Sequence, residues 1–156
     1  MPRRGKIAKR VAAPDAKYDS QMIAILINRL MKSGNKRKAE NIVYSALDIV
    51  EKQTNGNPAE AFEQAVTNAT PLVQVRPRRV AGATYQVPVE VKGERGLFLA
   101  IKWMINSARG RAGKPMADRL AAEIVEAAQG QGAAIKKREE LHKMAHANRA
   151  FVHFRW

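Results

Sequence analysis

The chain has 156 residues, 46% of them hydrophobic, which suffices for the core of one domain and is short for two. Its 28 Lys and Arg against 14 Asp and Glu give a formal net charge of +14, which favours a polyanionic partner, first of all nucleic acid. The absence of cysteine excludes disulfides, Cys-zinc sites and thiol catalysis. No apolar run approaches the roughly 18 residues of a membrane span, so no membrane partner is expected.

The first 15 residues are predicted to form a flexible basic arm. Five of the first ten residues are basic and none is acidic, so this segment cannot offset the entropy of ordering by burying apolar surface. The basic residues of the arm are Arg3, Arg4, Lys6, Lys9 and Arg10.

Apolar residues at helical spacing predict six helices. Asn57 can cap the third helix, and Pro58 suits its first turn. The predicted helices cover about residues 20–34, 36–54, 57–70, 96–109, 115–129 and 133–149. An aromatic and basic tail, residues 150–156, follows the last helix.

Residues 72–91, between helices three and four, are predicted to form a β-ribbon. From Thr84 to Val91, apolar and polar residues alternate with the period of two that is typical of a strand. Pro77 and Pro88 cannot donate ladder hydrogen bonds, so both arms are predicted to be edge strands. Because a lone ribbon is only marginally stable, either the helical body holds its base or a partner holds its tip. The alternative is a hairpin that folds down on the helices as a lid.

The basic excess falls in five separate groups, whereas acidic residues gather on helices two, three and five. Any one group could be a solvated face, but five groups with few compensating carboxylates favour a broad phosphate-binding surface. Positions on loops and arms suit an irregular RNA better than a DNA groove. Besides the arm, the groups are Lys32 with Lys36, Arg37 and Lys38; Arg76, Arg78 and Arg79; the span 102–114; and Lys136, Lys137, Arg138, Lys143 and Arg149.

These patterns together predict a mainly α fold. It is a six-helix bundle with a protruding two-stranded antiparallel β-ribbon between helices three and four. Residues 1–156 are expected to form a single RNA-binding domain, because no interior linker is long enough to divide the chain.

No motif predicts catalysis, a cofactor or a metal site. "GRAGKP" has Ala108 where a phosphate loop needs its first glycine, and Pro115 where it needs Ser or Thr. His142 and His146 lie one helical turn apart, but Lys143 replaces the Glu of a zinc hydrolase, and the basic surroundings disfavour a cation. These two histidines are expected to contact phosphate or solvent.

Several aromatic residues have more than one interpretation. Phe151, Phe154 and Trp156 of the tail can stack on bases or pack on the body of the protein. Trp103 lies off the apolar stripe of helix four, so it either contacts a partner or covers a second helix. Phe98 falls on that stripe and is expected to face the core.

Four stretches, in order over essentially the whole chain, resemble one family. They are "IVYSAL" (42–47), "RRVAGATYQVPVEV" (78–91), "LAIKWMI" (99–105) and "GAAIKKREELHKMAHANRAFVHFRW" (132–156). The family that they resemble is the bacterial form of small-subunit ribosomal protein seven. The resemblance implies the same fold and a structural, non-catalytic constituent of the small ribosomal subunit in the cytoplasm.

The resemblance further implies a primary binder of small-subunit ribosomal RNA that nucleates assembly of the subunit head at the three-prime major domain. It implies a position at the subunit interface near exit-site tRNA and mRNA, contacts with small-subunit ribosomal proteins nine and eleven, and no homo-oligomer. Some members of the family repress translation of their own messenger.

The resemblance and the basic groups together predict two sets of binding residues. Ribosomal RNA is expected to contact Arg3, Arg4, Lys6, Lys9, Arg10, Lys32, Lys36, Arg37, Lys38, Lys102, Arg109, Arg111, Lys114, Lys136, Lys137 and Arg138. Exit-site tRNA or mRNA is expected to contact Arg76, Arg78, Arg79, Gly82, Tyr85, Lys143 and Arg149.

The chain departs from this family in the ribbon turn, where Ala81 and Gly82 replace a frequent Gly-Gly pair. Because Ala disfavours positive φ, a loop of three to five residues with a left-handed Gly82 is predicted instead of a tight turn. "KGERG" replaces a more basic segment, which puts RNA contact at residues 93–96 in doubt.

Two other functions remain open from the residues alone. An architectural DNA-binding protein would insert the Arg and Pro ribbon into a minor groove. An enzyme that acts on RNA would depend on His142 or His146.

Overall fold

The computed structural model describes Gly5 and residues 12–154, and within these the chain forms six α-helices and one two-stranded antiparallel sheet. The elements are α1 (Gln21–Leu30), α2 (Lys36–Thr54), α3 (Pro58–Ala69), β1 (Val73–Val80), β2 (Ala83–Glu90), α4 (Gly93–Gly110), α5 (Met116–Ala128), α6 (Ala133–Ala147) and a C-terminal 3-10 helix (Arg149–Phe154). The predicted fold class is confirmed. In the described part of the chain, no helix is long and apolar enough to cross a membrane.

Three helix boundaries differ from the sequence-based prediction. α1 ends at Leu30 rather than Gly34, because Met31 already has an extended ψ of 136°. Ser33 and Gly34, with positive φ of 52° and 75°, form the turn that follows. α4 begins at Gly93, since the carbonyl of Lys92 already accepts hydrogen bonds from the first helical turn. α6 ends at Ala147, and the 3-10 helix that follows it was missed because it has no helical periodicity.

The core is built around α5, which packs against α2, α3 and α4. Its buried face combines two small side chains, Ala121 and Ala127, with two larger ones, Leu120 and Ile124, and all four are fully buried. The small alanine side chains let the neighbouring helices approach closely. The space between the helices is filled by larger buried side chains, including Leu47, Phe62, Ile101 and Met104.

The ribbon turn contains only two residues, Ala81 and Gly82, because strand pairing continues to Val80 and Ala83. Both turn residues have positive φ, 47° and 87°, as in the turns that match the twist of a hairpin. The predicted loop of three to five residues is therefore wrong, whereas the left-handed Gly82 is confirmed. Pairing along the whole ribbon stabilises a conformation that costs Ala81 about 1–2 kcal/mol.

The helical body holds the base of the ribbon. β1 packs on α6 and β2 on the 3-10 helix. The backbone N–H of Leu72 donates to Nε2 of His142 over 3.1 Å, and Val87 is 1% exposed. By contrast, residues 76–79 and 81–84 are exposed. The buried base and exposed tip agree with the predicted ribbon and not with a lid.

The aromatic tail packs on the ribbon. The rings of Phe151 and Phe154 lie 5.0 Å and 5.3 Å from the ring of Tyr85, centroid to centroid. Trp103 is partly buried against the core and so covers neighbouring helices. Trp156 lies outside the described residues.

Gly96 is expected to tolerate no side chain. A Cβ atom there would lie 2.8 Å from Cγ2 of Thr70, whose hydroxyl is held by the carbonyl of Val66 over 2.7 Å. Gly96→Ala should therefore lower the free energy of unfolding in urea by roughly 1–3 kcal/mol.

Gly93→Ala is the matched control, because a Cβ atom at this position in the same helix meets no atom within 4 Å. It should leave the free energy of unfolding unchanged or raise it, since Ala favours helix over Gly. Equal stability of the two variants would contradict the close packing of α4 on residues 70 and 71.

Candidate nucleic-acid interface

Two adjoining pockets on one face of the helical body share the side chain of Arg109. One has a volume of about 340 Å³ and is lined by residues from α1, α2, α4, α5 and the α1–α2 turn. The other, of about 220 Å³, lies between α1 and α4. We use "cationic face" for the basic residues that line the two pockets, Arg29, Lys32, Lys38, Lys102, Arg109 and Arg119.

The cationic face brings together four of the residues predicted to bind RNA, and adds two. Lys32 and Lys38 come from one basic group of the sequence, and Lys102 and Arg109 come from another. Sequence analysis missed Arg29 and Arg119, because each stands alone in an amphipathic helix and not in a basic run. To find them, one would have to know which face of α1 and of α5 lies beside α4.

Arg109 is fixed by the way in which α4 packs. Ile105 and Ala108 are buried, which leaves Lys102, Asn106 and Arg109 on the exposed side of the helix. The Nη2 atom of Arg109 donates to the carbonyl of Leu30 over 3.1 Å. A cation at the C-terminal end of α1 also interacts favourably with the helix dipole. The guanidinium therefore has a defined position between the two pockets.

Arg119 is held by the backbone at the end of α4. Its Nη1 atom donates to the carbonyl of Arg111 and, over 3.4 Å, to that of Arg109. Its Nε atom is buried and has no hydrogen-bond partner among the described residues. Arg119 thus adds positive charge to the larger pocket in a restrained orientation.

Arg111, a predicted RNA contact, is engaged inside the chain. Its guanidinium binds Glu126 and, over 2.7 Å, Glu123, whose side chain is fully buried. Glu123 also accepts the backbone N–H of Ala134 over 2.8 Å. Hydrogen bonding to Glu126 raises the pKa of Arg111 above its usual value. RNA contact by Arg111 stays a prediction, and its evident role is to join the end of α4 to α5.

The predicted basic residues of α6 differ in their surroundings. Arg138 donates to the carbonyl of Asn68 and lies 3.7 Å from Glu139, so it ties α6 to α3. Lys137 forms an exposed ion pair with Glu140 at 2.9 Å, whereas Lys136 is exposed. Lys136 and Lys137 can therefore reach an external anion more readily than Arg138.

The remaining predicted contacts lie apart from the two pockets or outside the described residues. Lys36, Arg37 and Lys114 are exposed, and Lys36 lies 3.7 Å from Glu40. Of the predicted tRNA and mRNA contacts, Tyr85 is half-buried against the tail, and the others are exposed: Arg76, Arg78, Arg79, Gly82, Lys143 and Arg149. The arm residues Arg3, Arg4, Lys6, Lys9 and Arg10 lie outside the described residues.

Asp15 belongs to the folded body and not to the flexible arm in which it was predicted. It is 7% exposed, and its carboxylate accepts hydrogen bonds from the N–H groups of Lys17 and Tyr18. It also accepts the hydroxyl of Tyr44 over 2.7 Å, which raises the pKa of Tyr44 to about 12. This carboxylate therefore anchors the chain just before α1.

His142 has a structural contact that the sequence did not indicate. It was expected to contact phosphate or solvent, but it is half-buried and its Nε2 atom accepts the N–H of Leu72. His146 is exposed, as expected. Among the described residues, no group of three or more His, Asp or Glu could hold a metal ion.

The model of a family described as "Ribosomal protein S7p/S5e" matches residues 2–149 of the chain. The chain belongs to this family. It is 57% identical to the small ribosomal subunit protein uS7 of Dehalococcoides mccartyi strain 195, 55% to that of Thermomicrobium roseum and 53% to that of Dictyoglomus turgidum. Each of these alignments spans 156 residues and the full length of both chains.

Membership of the S7p/S5e family confirms the resemblance drawn from the four sequence stretches. It agrees with a structural constituent of the ribosome that works in translation alongside ribosomal RNA, and not with an enzyme.

The base of the ribbon is expected to weaken in acid. Burial, and then the charge of Arg138, lower the pKa of His142 below its usual value of 6.5. The unfolded chain therefore takes up this proton at higher pH than the folded chain does. The contribution of neutral His142 to stability is complete above about pH 6.5 and is lost as the pH falls through the lowered pKa.

His142→Gln removes this titration and keeps an acceptor for Leu72. Between about pH 7.5 and pH 5.5, the free energy of unfolding of the wild type should fall by more than that of the variant. Urea titrations at the two pH values measure this difference. Hydrogen exchange at the Leu72 amide should accelerate in acid in the wild type. Identical pH dependence of the two proteins would show that the bond to Leu72 does not couple to protonation.

Proposed function

We propose that this chain binds small-subunit ribosomal RNA through the cationic face, as a structural protein of the small ribosomal subunit. The observation that carries the proposal is the convergence of six cations on two pockets that share Arg109. Phosphates that enter these pockets release counterions and relieve repulsion between like charges.

Shape is the proposed basis of specificity. The cationic face draws on α1, α2, α4 and α5, so its cations are spaced by tertiary packing and do not line one helix. Such a spacing fits the phosphates of a folded RNA junction better than the regular backbone of a duplex. The basic residues of the arm would extend the contact, because each cation can neutralise a further phosphate.

The role of the chain within the subunit is proposed from its family. We propose that it is a primary binder of the three-prime major domain of small-subunit ribosomal RNA. It would nucleate assembly of the subunit head and lie at the subunit interface of cytoplasmic ribosomes. Exit-site tRNA, mRNA and small-subunit ribosomal proteins nine and eleven are the further proposed partners. The single domain of residues 1–156 and the absence of a homo-oligomer are parts of the same proposal. The three exposed arginines of β1, Arg76, Arg78 and Arg79, support a contact away from the anchoring surface.

Lys32 and Lys38 provide a direct test, because both are exposed and both line the larger pocket. The double variant Lys32→Gln, Lys38→Gln should weaken binding to a three-prime-domain RNA fragment and flatten the plot of log affinity against log salt, by about one per lysine. Filter binding over a series of salt concentrations measures both quantities.

Lys52→Gln is the matched control, because Lys52 is an exposed cation of α2 that lines neither pocket of the cationic face. It should bind RNA as the wild type does. A salt dependence that is the same in the double variant and the wild type would exclude the cationic face. Displacement of the RNA by an equal concentration of bent duplex DNA would favour the architectural DNA-binding alternative.

The ribbon is expected to serve tRNA and mRNA more than assembly. The triple variant Arg76→Ala, Arg78→Ala, Arg79→Ala should enter small subunits at close to wild-type levels, because the cationic face is intact. Exit-site tRNA should be bound more weakly by these subunits, since charge-assisted contacts to phosphate are removed. Sucrose gradients and tRNA protection assays measure the two effects. Failure of the triple variant to enter subunits, with its melting temperature unchanged, would contradict this division of roles.

A further inference from the structure

Phe98 is surrounded by cations. The guanidinium carbon of Arg29 lies 4.0 Å from the centre of its ring, and that of Arg95 lies 4.9 Å away. The Nζ atom of Lys102 lies 6.0 Å away. Although the sequence places Phe98 on the apolar stripe of α4, the side chain is only half-buried and stands outside the hydrophobic core. The main contacts of the Phe98 ring are therefore with cations and not with the hydrophobic core.

Two of these cations also line the smaller pocket. Arg29 and Lys102 share it with Arg109 and with Asn106, whose side-chain amide is a further hydrogen-bond donor. Within residues 12–154, no carboxylate lies within 4.0 Å of Arg29, Arg95 or Lys102 to form an ion pair. The pocket therefore has donors and positive charge in excess of what the described chain neutralises.

Arg29 is the least compensated cation of the group. Burial, and then the charge of Arg95, lower the pKa of Arg29 below its usual value. Its Nε atom is buried and has no hydrogen-bond partner in the described part of the chain. An anion in the pocket would counter the lowered pKa, because it attracts the guanidinium and can accept hydrogen bonds from its terminal N–H groups.

We propose that the pocket between α1 and α4 binds one backbone phosphate of the RNA, and that Phe98 is the residue that positions Arg29 for it. The inference rests on the proposed function and adds a site and a positioning residue to it. The pocket volume of about 220 Å³ accommodates a single phosphate group.

The ring supplies what an aliphatic side chain cannot. Its negative face attracts a guanidinium that stacks on it, and so reduces the cost of gathering three cations around one point. Stacking also fixes the plane of the Arg29 guanidinium, which leaves its edge to donate to phosphate oxygens in a defined geometry. The affinity for phosphate therefore depends on the ring through Arg29.

A double-mutant cycle tests this dependence. Phe98→Leu keeps apolar volume and removes the ring face, and should weaken RNA binding by roughly two- to fivefold. Arg29→Gln removes the proposed phosphate contact and should lower the salt slope by about one. In the Arg29→Gln background, Phe98→Leu should cause no further loss. Phe98→Tyr, which keeps a ring face, should retain wild-type affinity and salt slope.

The outcomes separate the inference from the function on which it rests. The role of Phe98 would be overturned if Phe98→Leu caused no loss of RNA affinity. It would also be overturned if Phe98→Leu caused the same loss with and without Arg29→Gln. In both cases the wild type would still bind RNA. Failure of the wild type to prefer the ribosomal RNA fragment would instead overturn the proposed function. Should Phe98→Leu not fold, as judged by circular dichroism, Phe98→Met takes its place in the cycle with the same expected results.

Discussion

The buried carboxylate of Glu123 is the contact on which much of the remaining structure depends. It binds Arg111, just after α4, and the N–H of Ala134 at the start of α6, so one side chain of α5 joins three segments. A carboxylate without exposed surface is tolerated only when charge and hydrogen bonds compensate its lost hydration. The backbone after α4 in turn holds Arg119, and α6 carries the histidine that binds the ribbon base. One cation of the cationic face, Arg119, and the histidine under the ribbon are thus both linked to the same buried anion.

The arginines of this protein serve two purposes that their sequence context does not distinguish. Arg111 and Arg138 bind carboxylates and carbonyls of neighbouring helices, and so stabilise the bundle. Arg29 and Arg119 instead line the pockets of the cationic face, where the ring of Phe98 restrains Arg29 and backbone carbonyls restrain Arg119. A folded chain that restrains excess positive charge in this way pays part of the entropic cost of RNA binding during folding. The proposed contacts should therefore form with little rearrangement of the helical body.

The ribbon shows how tertiary contacts override a local preference. Ala81 adopts positive φ although Ala disfavours it, because strand pairing up to Val80 leaves room for only two turn residues. Tyr85 packs against the aromatic tail, which gives a lone two-stranded ribbon the packing that it lacks by itself. Arg76 and Arg78 are exposed although they pair with the supported part of β2, and Arg79 is exposed nearer the turn. The structure thereby combines a supported base with an accessible tip.

The sequence by itself determined the six helices, the two edge strands and the basic character of the partner surface. Helical periodicity, proline positions and net charge are local or additive properties of a sequence. They can therefore be read from residues such as Leu120, Pro77 and the arm lysines before the fold is known. Only the tertiary structure decided which cations face a pocket and which bind inside the chain, because Arg109 and Arg111 differ by two positions and yet meet Leu30 and Glu123. It also placed Phe98 among cations and His142 under the ribbon. Both roles join groups that lie far apart in the sequence: Phe98 meets Arg29, and the His142 ring accepts the backbone N–H of Leu72. Only packing brings such groups together.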